Sequence, residues 1–354
     1  MTGHQAPRTR VLICEDSRAY AAMLRRMLEH DGDVEVIAIC KTAEETLAEL
    51  PRLEPDLVTM DIHLSGMDGL TAIAQIMSSR PLPILVISAY IETLGGAGRA
   101  EVLAAGALDW LAKDELDLRD PGGAAGRQLR RRITMLSRAP VIRRPRNRRG
   151  YTPVHDRQAS VIGVCASIGG PQVLATLLDE LPADYPIPLM VVQHLVAGFG
   201  EGLARWLDQD VPLPVSVAAD RDRLAPGVWI APDRAHLTIT TTGLLRLSDQ
   251  PASTRHRPSG DVLFNSIASA AGRTGVAVVL SGMGRDGAAG AAAVRRAGGL
   301  AIAQDEASSA IYGMPKAAAD LGVDIVLPPE GIARHLLQLT KAPLPTAKPP
   351  GTSR

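Results

Sequence analysis

Val161-Ile162-Gly163-Val164-Cys165-Ala166-Ser167-Ile168-Gly169-Gly170-Pro171 is the stretch on which the fold turns. Its first half is a short apolar run, the mark of a buried strand. Small residues follow, then a double glycine, then a proline suited to the first turn of a helix. The pattern is strand, tight turn, helix, with a hydroxyl at the turn. A serine held there has an exposed oxygen, a constrained backbone and helix N–H groups close by. Those are the surroundings of a nucleophile that faces an oxyanion hole. The plainer reading is that Ser167 caps the helix, as serine often does. The eleven residues alone favour the cap, and the rest of the chain shifts the balance.

The bulk properties bound the answer. With 354 residues the chain exceeds one average domain, so two are expected. Lysine plus arginine and aspartate plus glutamate balance at 38 each, so net charge points to no polyanionic partner. Aromatics make up only 3%, which argues against base-stacking platforms. The cysteines, Cys14, Cys40 and Cys165, form no C-x-x-C pair and no cluster with zinc spacing. A reduced, cytoplasmic compartment fits them. The first ten residues are polar and lack the apolar core of a signal peptide, and no run approaches the ~18 apolar residues of a spanning helix. A soluble intracellular protein is expected.

Upstream of the opening stretch, strand and helix patterns alternate from Arg10. Strands are expected at Val11–Cys14, Val34–Cys40, Leu57–Met60, Pro83–Ser88 and Ala107–Ala112. Helices are expected through Leu28, over Thr42–Leu50, up to Ser79, up to Ala105, and from Ala124 to Leu136. Thr42 with Glu45 three residues on is a capping-box pattern. Such βα repetition predicts a doubly wound parallel sheet, which binds ligands at the carboxyl ends of its strands. Those ends carry Glu15 and Asp16, Asp61, Ser88 and Lys113. Carboxylates sharing one crevice repel unless a cation neutralises them, and hard oxygen ligands with room for water suit Mg2+. Asp61 could then attack a phosphoryl group, with Lys113 and the Ser88 hydroxyl on its oxygens. Each residue alone reads more simply as a solvated loop residue; their joint placement is what carries the inference.

Glu15-Asp16-Ser17, Asp56 to Asp61, Met67-Asp68-Gly69, Ser88-Ala89 and Gly106-Ala107 through Lys113 resemble a response-regulator receiver domain. The resemblance covers residues ~8–137, and we place the domain at 8–126. It implies phosphorylation of Asp61 by a histidine kinase. It further implies Mg2+ on Glu15, Asp16 and Asp61, and a switch through Ser88, Lys113 and Trp110. Ser65 and Asp114 stand where the family usually has prolines.

Residues 127–157 read as a basic linker: 127–149 hold ten arginines and no acidic residue. A solvated hinge is the usual meaning of such a run. A nucleic-acid arm is the sharper alternative, but no helix-turn-helix or zinc pattern follows, so no nucleic-acid partner is expected. The fifth helix extends into this segment.

Downstream, strands are expected at Ile187–Val192, Gly275–Leu280, Leu300–Gln304 and Ile325–Leu327. Val215–Ala218, Val228–Ala231, Ala235–Thr240 and Leu244–Leu247 read as β-hairpins. Helices are expected near Leu203–Leu207, from Pro258-Ser259 to Ala271, up to Ala297, and to about Thr340. The domain spans 158–342, and 343–354 read as a disordered tail. The fold class is thus α/β, a (βα)5 domain followed by a doubly wound domain with a β-hairpin insertion.

Ser167, His194 and Asp286 all follow buried strands. They can form a nucleophile, a base and an orienting acid in an order unlike the α/β hydrolases or the two protease types. The Gly282–Gly284 loop offers backbone N–H groups to an oxyanion. Taken alone, His194 reads as a structural histidine. Cys165 is a rival nucleophile, though its place within the strand suits a buried hydrophobe better. Gly282-x-Gly284-x-x-Gly287, with Asp305-Glu306 beyond, is also a literal dinucleotide fingerprint. Against it, Asp286 would put a carboxylate where the pyrophosphate sits. A non-catalytic dinucleotide-binding or regulatory module therefore stays open as the alternative.

Further motifs weigh on the choice: Ala166-Ser167-x-Gly169-Gly170, Gln193-His194, Arg257-Pro258-Ser259, Ser281 to Gly287, Ala303-Gln304-Asp305 and Tyr312-Gly313-Met314-Pro315. With them the chain resembles the chemotaxis protein-glutamate methylesterases of the CheB type. That family hydrolyses γ-glutamyl methyl esters on the cytoplasmic domains of methylated chemoreceptors, and often deamidates receptor glutamines. The resemblance implies a serine triad of Ser167, His194 and Asp286, an oxyanion contact from the Met283 backbone, and no cofactor for the ester chemistry. It implies a phosphorylation-activated enzyme, peripheral to membrane-bound receptors. Ile168, Cys165 and Arg285 depart from residues common in the family.

Overall fold

The computed structural model describes residues 8–89, 101–140, 157–194, 200–251, 254, 256–342 and 344. It divides into two compact units, Met1–Arg143 and Arg144–Arg354. The first is a parallel sheet of β1 (Thr9–Cys14), β2 (Val34–Cys40), β3 (Leu57–Met60), β4 (Ile84–Ser88) and β5 (Asp109–Ala112) in the order β2-β1-β3-β4-β5. Every residue of β3, β4 and β5 is buried, so both faces are covered, as parallel sheets require. Its helices are α1 (Arg18–Leu28), α2 (Ala43–Leu53), α3 (Gly69–Ser79), α4 (residues 101–104) and α5 (Ala124–Leu136). The residues expected to begin the fourth helix fall within 90–100, outside the described residues. Thr42 caps α2: its Oγ1 accepts from the Glu45 N–H at 3.1 Å, and Glu45 in turn accepts from the Lys41 N–H. The sheet order reverses between β1 and β3, which opens the crevice at their carboxyl ends.

The basic segment does not begin where composition places it. Residues 127–136 are the body of α5, with Leu129, Ile133 and Leu136 buried. Arg130 is 1% exposed, and four of its five guanidinium donors are used: Nε and Nη2 donate to Asp31 Oδ2, and Nη1 to the carbonyls of Met27 and Pro121. A buried charged side chain bonded in this way belongs to the domain, not to a hinge. The rest of the expected linker, 141–156, lies outside the described residues.

The second unit is a parallel sheet in the order β15-β14-β13-β7-β8-β10-β9. Its strands are β7 (Val161–Ala166), β8 (Leu189–Gln193), β9 (Val215–Val217), β10 (Val228–Ile230), β13 (Gly275–Val279), β14 (Leu300–Gln304) and β15 (Ile325–Leu327). All six residues of β7 are buried. The helices are α6 (Gly170–Asp179), α7 (Gly200–Asp210), α8 (Gly260–Ala271), α9 (Ala288–Arg296), α10 (Met314–Asp320) and α11 (Pro329–Leu336). Phe264 and Ile267 of α8 and Val294 of α9 form one core with Val161, Cys165, Ala277 and Val279 of the sheet. Burying a side chain of this kind contributes about 1.5–3 kcal/mol.

Two expected hairpins resolve differently. Of the four expected hairpin strands, β11 (His236–Ile239) and β12 (Leu245–Ser248) pair antiparallel. Strands β9 and β10 are parallel to each other and to β8, and extend the main sheet. The segment between β9 and β10 returns alongside the β11–β12 hairpin, held by Arg221 N–H to Leu245 O and Leu224 N–H to Gly243 O. Beyond α11, Thr340–Lys341 (β16) pairs with Gln158–Ala159 (β6), so the helix expected to reach Thr340 stops at Leu336. Of the expected tail only residue 344 is described. No helix among the described residues is long and apolar enough to cross a membrane.

Candidate active site

The order of the second sheet reverses between β7 and β13, which places a crevice at their carboxyl ends. Ser167 follows β7 there and is half-buried. Ala166 is in register with Gln193, so Ser167 and His194 extend adjacent strands, and the His194 N–H donates to Ala166 O at 2.9 Å. The capping reading of Ser167 fails: the N-cap of α6 is Gly169, with no side-chain cap bond. Gly169 has φ 73°, a left-handed conformation that glycine adopts without strain. The Ser167 carbonyl is fixed by Gln193 Nε2 at 2.7 Å and by the Gly170 N–H at 2.8 Å. The serine therefore sits on a rigid turn with its side chain outside the helix.

His194 Nε2 lies 2.7 Å from Asp286 Oδ2. Its Nδ1 is buried and has no partner among the described residues. The ring stacks on His256, centroids 4.3 Å apart. Asp286 is cradled by the start of α8: Ser259 Oγ donates to Oδ1 at 2.8 Å, Gly260 N–H to Oδ2 at 2.6 Å and Asp261 N–H to Oδ1 at 3.2 Å. Burial works to raise the Asp286 pKa, but bonding and charge from His194, then Gly260 and Ser259, hold it well below the usual carboxylate range. The positive end of the helix acts in the same sense. Asp286 thus stays ionised and fixes the imidazole. Ser259 does double duty, since its Oγ also caps α8 by accepting from Val262 N–H.

The loop after β13 closes the site. Ser281 O accepts from Ser167 N–H at 2.9 Å, and Ser281 Oγ bonds Ile168 O and Ile311 N–H. A Cβ at Gly282 would lie 2.7 Å from Ser167 Cβ, so only glycine lets this backbone approach the serine. Met283 comes next and is exposed. Two rival readings lose ground here. Gly282 is pressed against Ser167 and Asp305 is engaged by Ser308, so the fingerprint glycine and acid have other work. Cys165 is fully buried, and burial pushes its thiol well up, which suppresses the reactive thiolate. Cys165, His194 and Asp286 offer ligand atoms within 4.8 Å of one another. With the thiol buried and the carboxylate already hydrogen-bonded, they do not make an open metal centre.

In the first unit, Glu15, Asp16 and Asp61 bring carboxylate oxygens within 4.8 Å of one another. Lys113 Nζ bonds both Glu15 Oε2 and Asp61 Oδ2 at 2.6 Å. Burial opposes the Lys113 charge, and bonds to Asp61 and Glu15 more than restore it, so its pKa is raised. Burial also raises that of Glu15, against the pull of Lys113. Ser88 Oγ is buried with no partner among the described residues. An all-oxygen ligand set, with an orphaned hydroxyl at the end of β4, the strand next to β3, fits Mg2+ and a phosphoryl group. Trp110 lies on β5 opposite Val86 and is 6% exposed. The roles of Ser259, Gly260, Gln193 and His256 were missed in the sequence, although Ser259 was legible as a cap.

Residues 162–336 match the family model for CheB methylesterase, and residues 11–119 that for the response regulator receiver domain. A protein-glutamate methylesterase/protein-glutamine glutaminase of Myxococcus xanthus is 41% identical over 97% of this chain and 97% of its own length. The chain belongs to the CheB methylesterase family. Another so named, from Anaeromyxobacter dehalogenans, is 42% identical over 94% of this chain and 97% of its own. The crystal structure of the Thermotoga maritima CheB methylesterase catalytic domain covers 51% of this chain and 98% of that one, with TM-score 0.50 and 34% identity. Membership of the CheB family disfavours the dinucleotide-binding alternative.

Proposed function

We propose that this chain is a phosphorylation-controlled protein-glutamate methylesterase that demethylates chemoreceptor glutamates and acts also as a protein-glutamine glutaminase. The observation that carries the reading is the His194–Asp286 pair at 2.7 Å, set at the sheet's switch point beside the Ser167 turn. Because Asp286 engages Nε2, Nδ1 is the ring nitrogen left to take the Ser167 proton. Ser167 Oγ attacks the ester carbonyl, and the Met283 N–H faces the oxyanion. Collapse expels methanol, which takes the proton from His194. Water then attacks the acyl-enzyme, with His194 again as base, and frees glutamate and Ser167. With a glutamine side chain the leaving group is ammonia. Asp286 is a positioning residue, orienting the ring and stabilising its charged form.

Asp61 is the proposed phosphoacceptor, serving a histidine kinase of the CheA type. Glu15, Asp16 and Asp61 would hold Mg2+, which when bound neutralises charge on the phosphoryl oxygens. Lys113 and Ser88 contact those oxygens, and Trp110, on the strand that Lys113 follows, responds to the change. The working place is the cytoplasmic face of membrane-bound receptors. The domains at 8–126 and 158–342 carry the two activities, α5 extending the first. Methanol release from methylated receptor membranes, abolished by Ser167→Ala, tests the reading.

A further inference from the structure

Tyr20 lies in the first turn of α1, outside every role described so far. Lys113 Nζ sits 4.3 Å from the centroid of its ring. The same Nζ bonds Glu15 and Asp61, so the ammonium has an aromatic face and two carboxylates as immediate neighbours. The Tyr20 hydroxyl is buried without a partner among the described residues. Burial, then Glu15, Asp61 and Asp114, push the phenol pKa up, so the ring stays neutral. Lysine is a point charge on a flexible stem, and its attraction to a ring face grows when water is excluded. Its side chain here is 15% exposed.

We propose that the face of Tyr20 is a positioning element for phosphoryl transfer, keeping the Lys113 ammonium over Asp61. This rests on the reading of Asp61 as phosphoacceptor. In the transfer, an Asp61 oxygen bonds to phosphorus as the bond from phosphorus to the leaving oxygen breaks. With acetyl phosphate the electron pair leaves with acetate, and no proton is needed. The Asp61 carboxylate loses its charge as the acyl phosphate forms, the acetate leaves with one, and the transferred phosphoryl oxygens keep theirs, so the Lys113 ammonium passes from the carboxylate to those oxygens. Without the ring, the stem can carry the ammonium out to solvent. Tyr20 acts through Lys113 and does not itself contact the phosphoryl group.

The test uses the full chain, acetyl phosphate and Mg2+, with Asp61→Asn as control. Tyr20→Leu is expected to slow labelling roughly three- to thirtyfold, and Tyr20→Phe to stay within about twofold of the parent. In metal-free protein, the Lys113 Hε resonances are expected upfield in the parent and in Tyr20→Phe, and unshifted in Tyr20→Leu. Where leucine disturbs folding, trifluorophenylalanine at position 20 keeps the ring's shape while draining its face, and is expected to slow labelling as leucine does. Leucine or trifluorophenylalanine variants labelling at the parent rate, or Tyr20→Phe as slow as Tyr20→Leu, would overturn the proposal. Labelling that survives Asp61→Asn removes instead the reading beneath it.

Discussion

His194 Nε2 meets Asp286 Oδ2 at 2.7 Å across 92 residues of sequence, and the start of α8 supplies the remaining bonds to that carboxylate. The pair joins the end of β8 to the loop after β13, the strands on either side of β7, which Ser167 follows. A change at any of these contacts should reach the chemistry through the orientation of one imidazole.

Asp286→Asn keeps the shape but can no longer accept charge-assisted bonds from every donor around it. We expect kcat to fall by roughly 10³–10⁴, as in other triads that lose the orienting acid, with KM little changed. Steady-state methanol release measures both. A variant within tenfold of the parent would show that His194 does not depend on this bond.

The same residue links stability to pH. The folded Asp286 carboxyl has a pKa below its unfolded value, so it contributes stability that is whole above about pH 4 and is lost as pH falls toward the folded pKa. The stability difference between the parent and Asp286→Asn should therefore be larger at pH 7 than near pH 3. Urea unfolding at the two pH values measures it. A difference that grows on acidification would reverse the assigned direction.

Ser259→Ala removes the α8 cap and one donor to Asp286 together. Capping alone predicts a loss of about 0.5–2 kcal/mol. The bond to Asp286 predicts a lower kcat as well. Thermal melts and turnover on the same sample separate the two. Lost stability with unchanged kcat would leave Ser259 as a cap only.

The strand ends were readable because each polar residue interrupts an apolar run at a fixed place: Ser167 after β7, His194 after β8, Asp61 after β3. Strand β3, and helix α5 from Ala124 to Leu136, were legible to the residue, since a buried strand and an amphipathic helix write their periods into the sequence. Pairing direction leaves no such trace. Strands β9 and β10 carry the turn signals of a hairpin yet run parallel, a choice made by the returning segment that lies on the β11–β12 hairpin. The two-residue partners β6 and β16 have no period to read. Arg130 reads as solvated from composition, and only its bonds to Asp31, Met27 and Pro121 explain its burial. The same holds for the His194–His256 stack, since nothing local joins those residues.

Asp61→Asn removes the proposed phosphoacceptor without touching Ser167, His194 or Asp286. Basal methanol release is expected to stay within about twofold of the parent, while activation by a phosphodonor disappears, because a carboxamide cannot form the acyl phosphate. Release assayed with and without acetyl phosphate checks this. Activation that persists in the variant would place control elsewhere.

The most direct test of the central claim is methanol release from methylated receptor membranes by the parent and by Ser167→Ala, each with and without beryllofluoride. We predict release by the parent that rises with beryllofluoride, and a loss of at least about 10³-fold in Ser167→Ala under both conditions. Near-parental release by Ser167→Ala would contradict the serine mechanism.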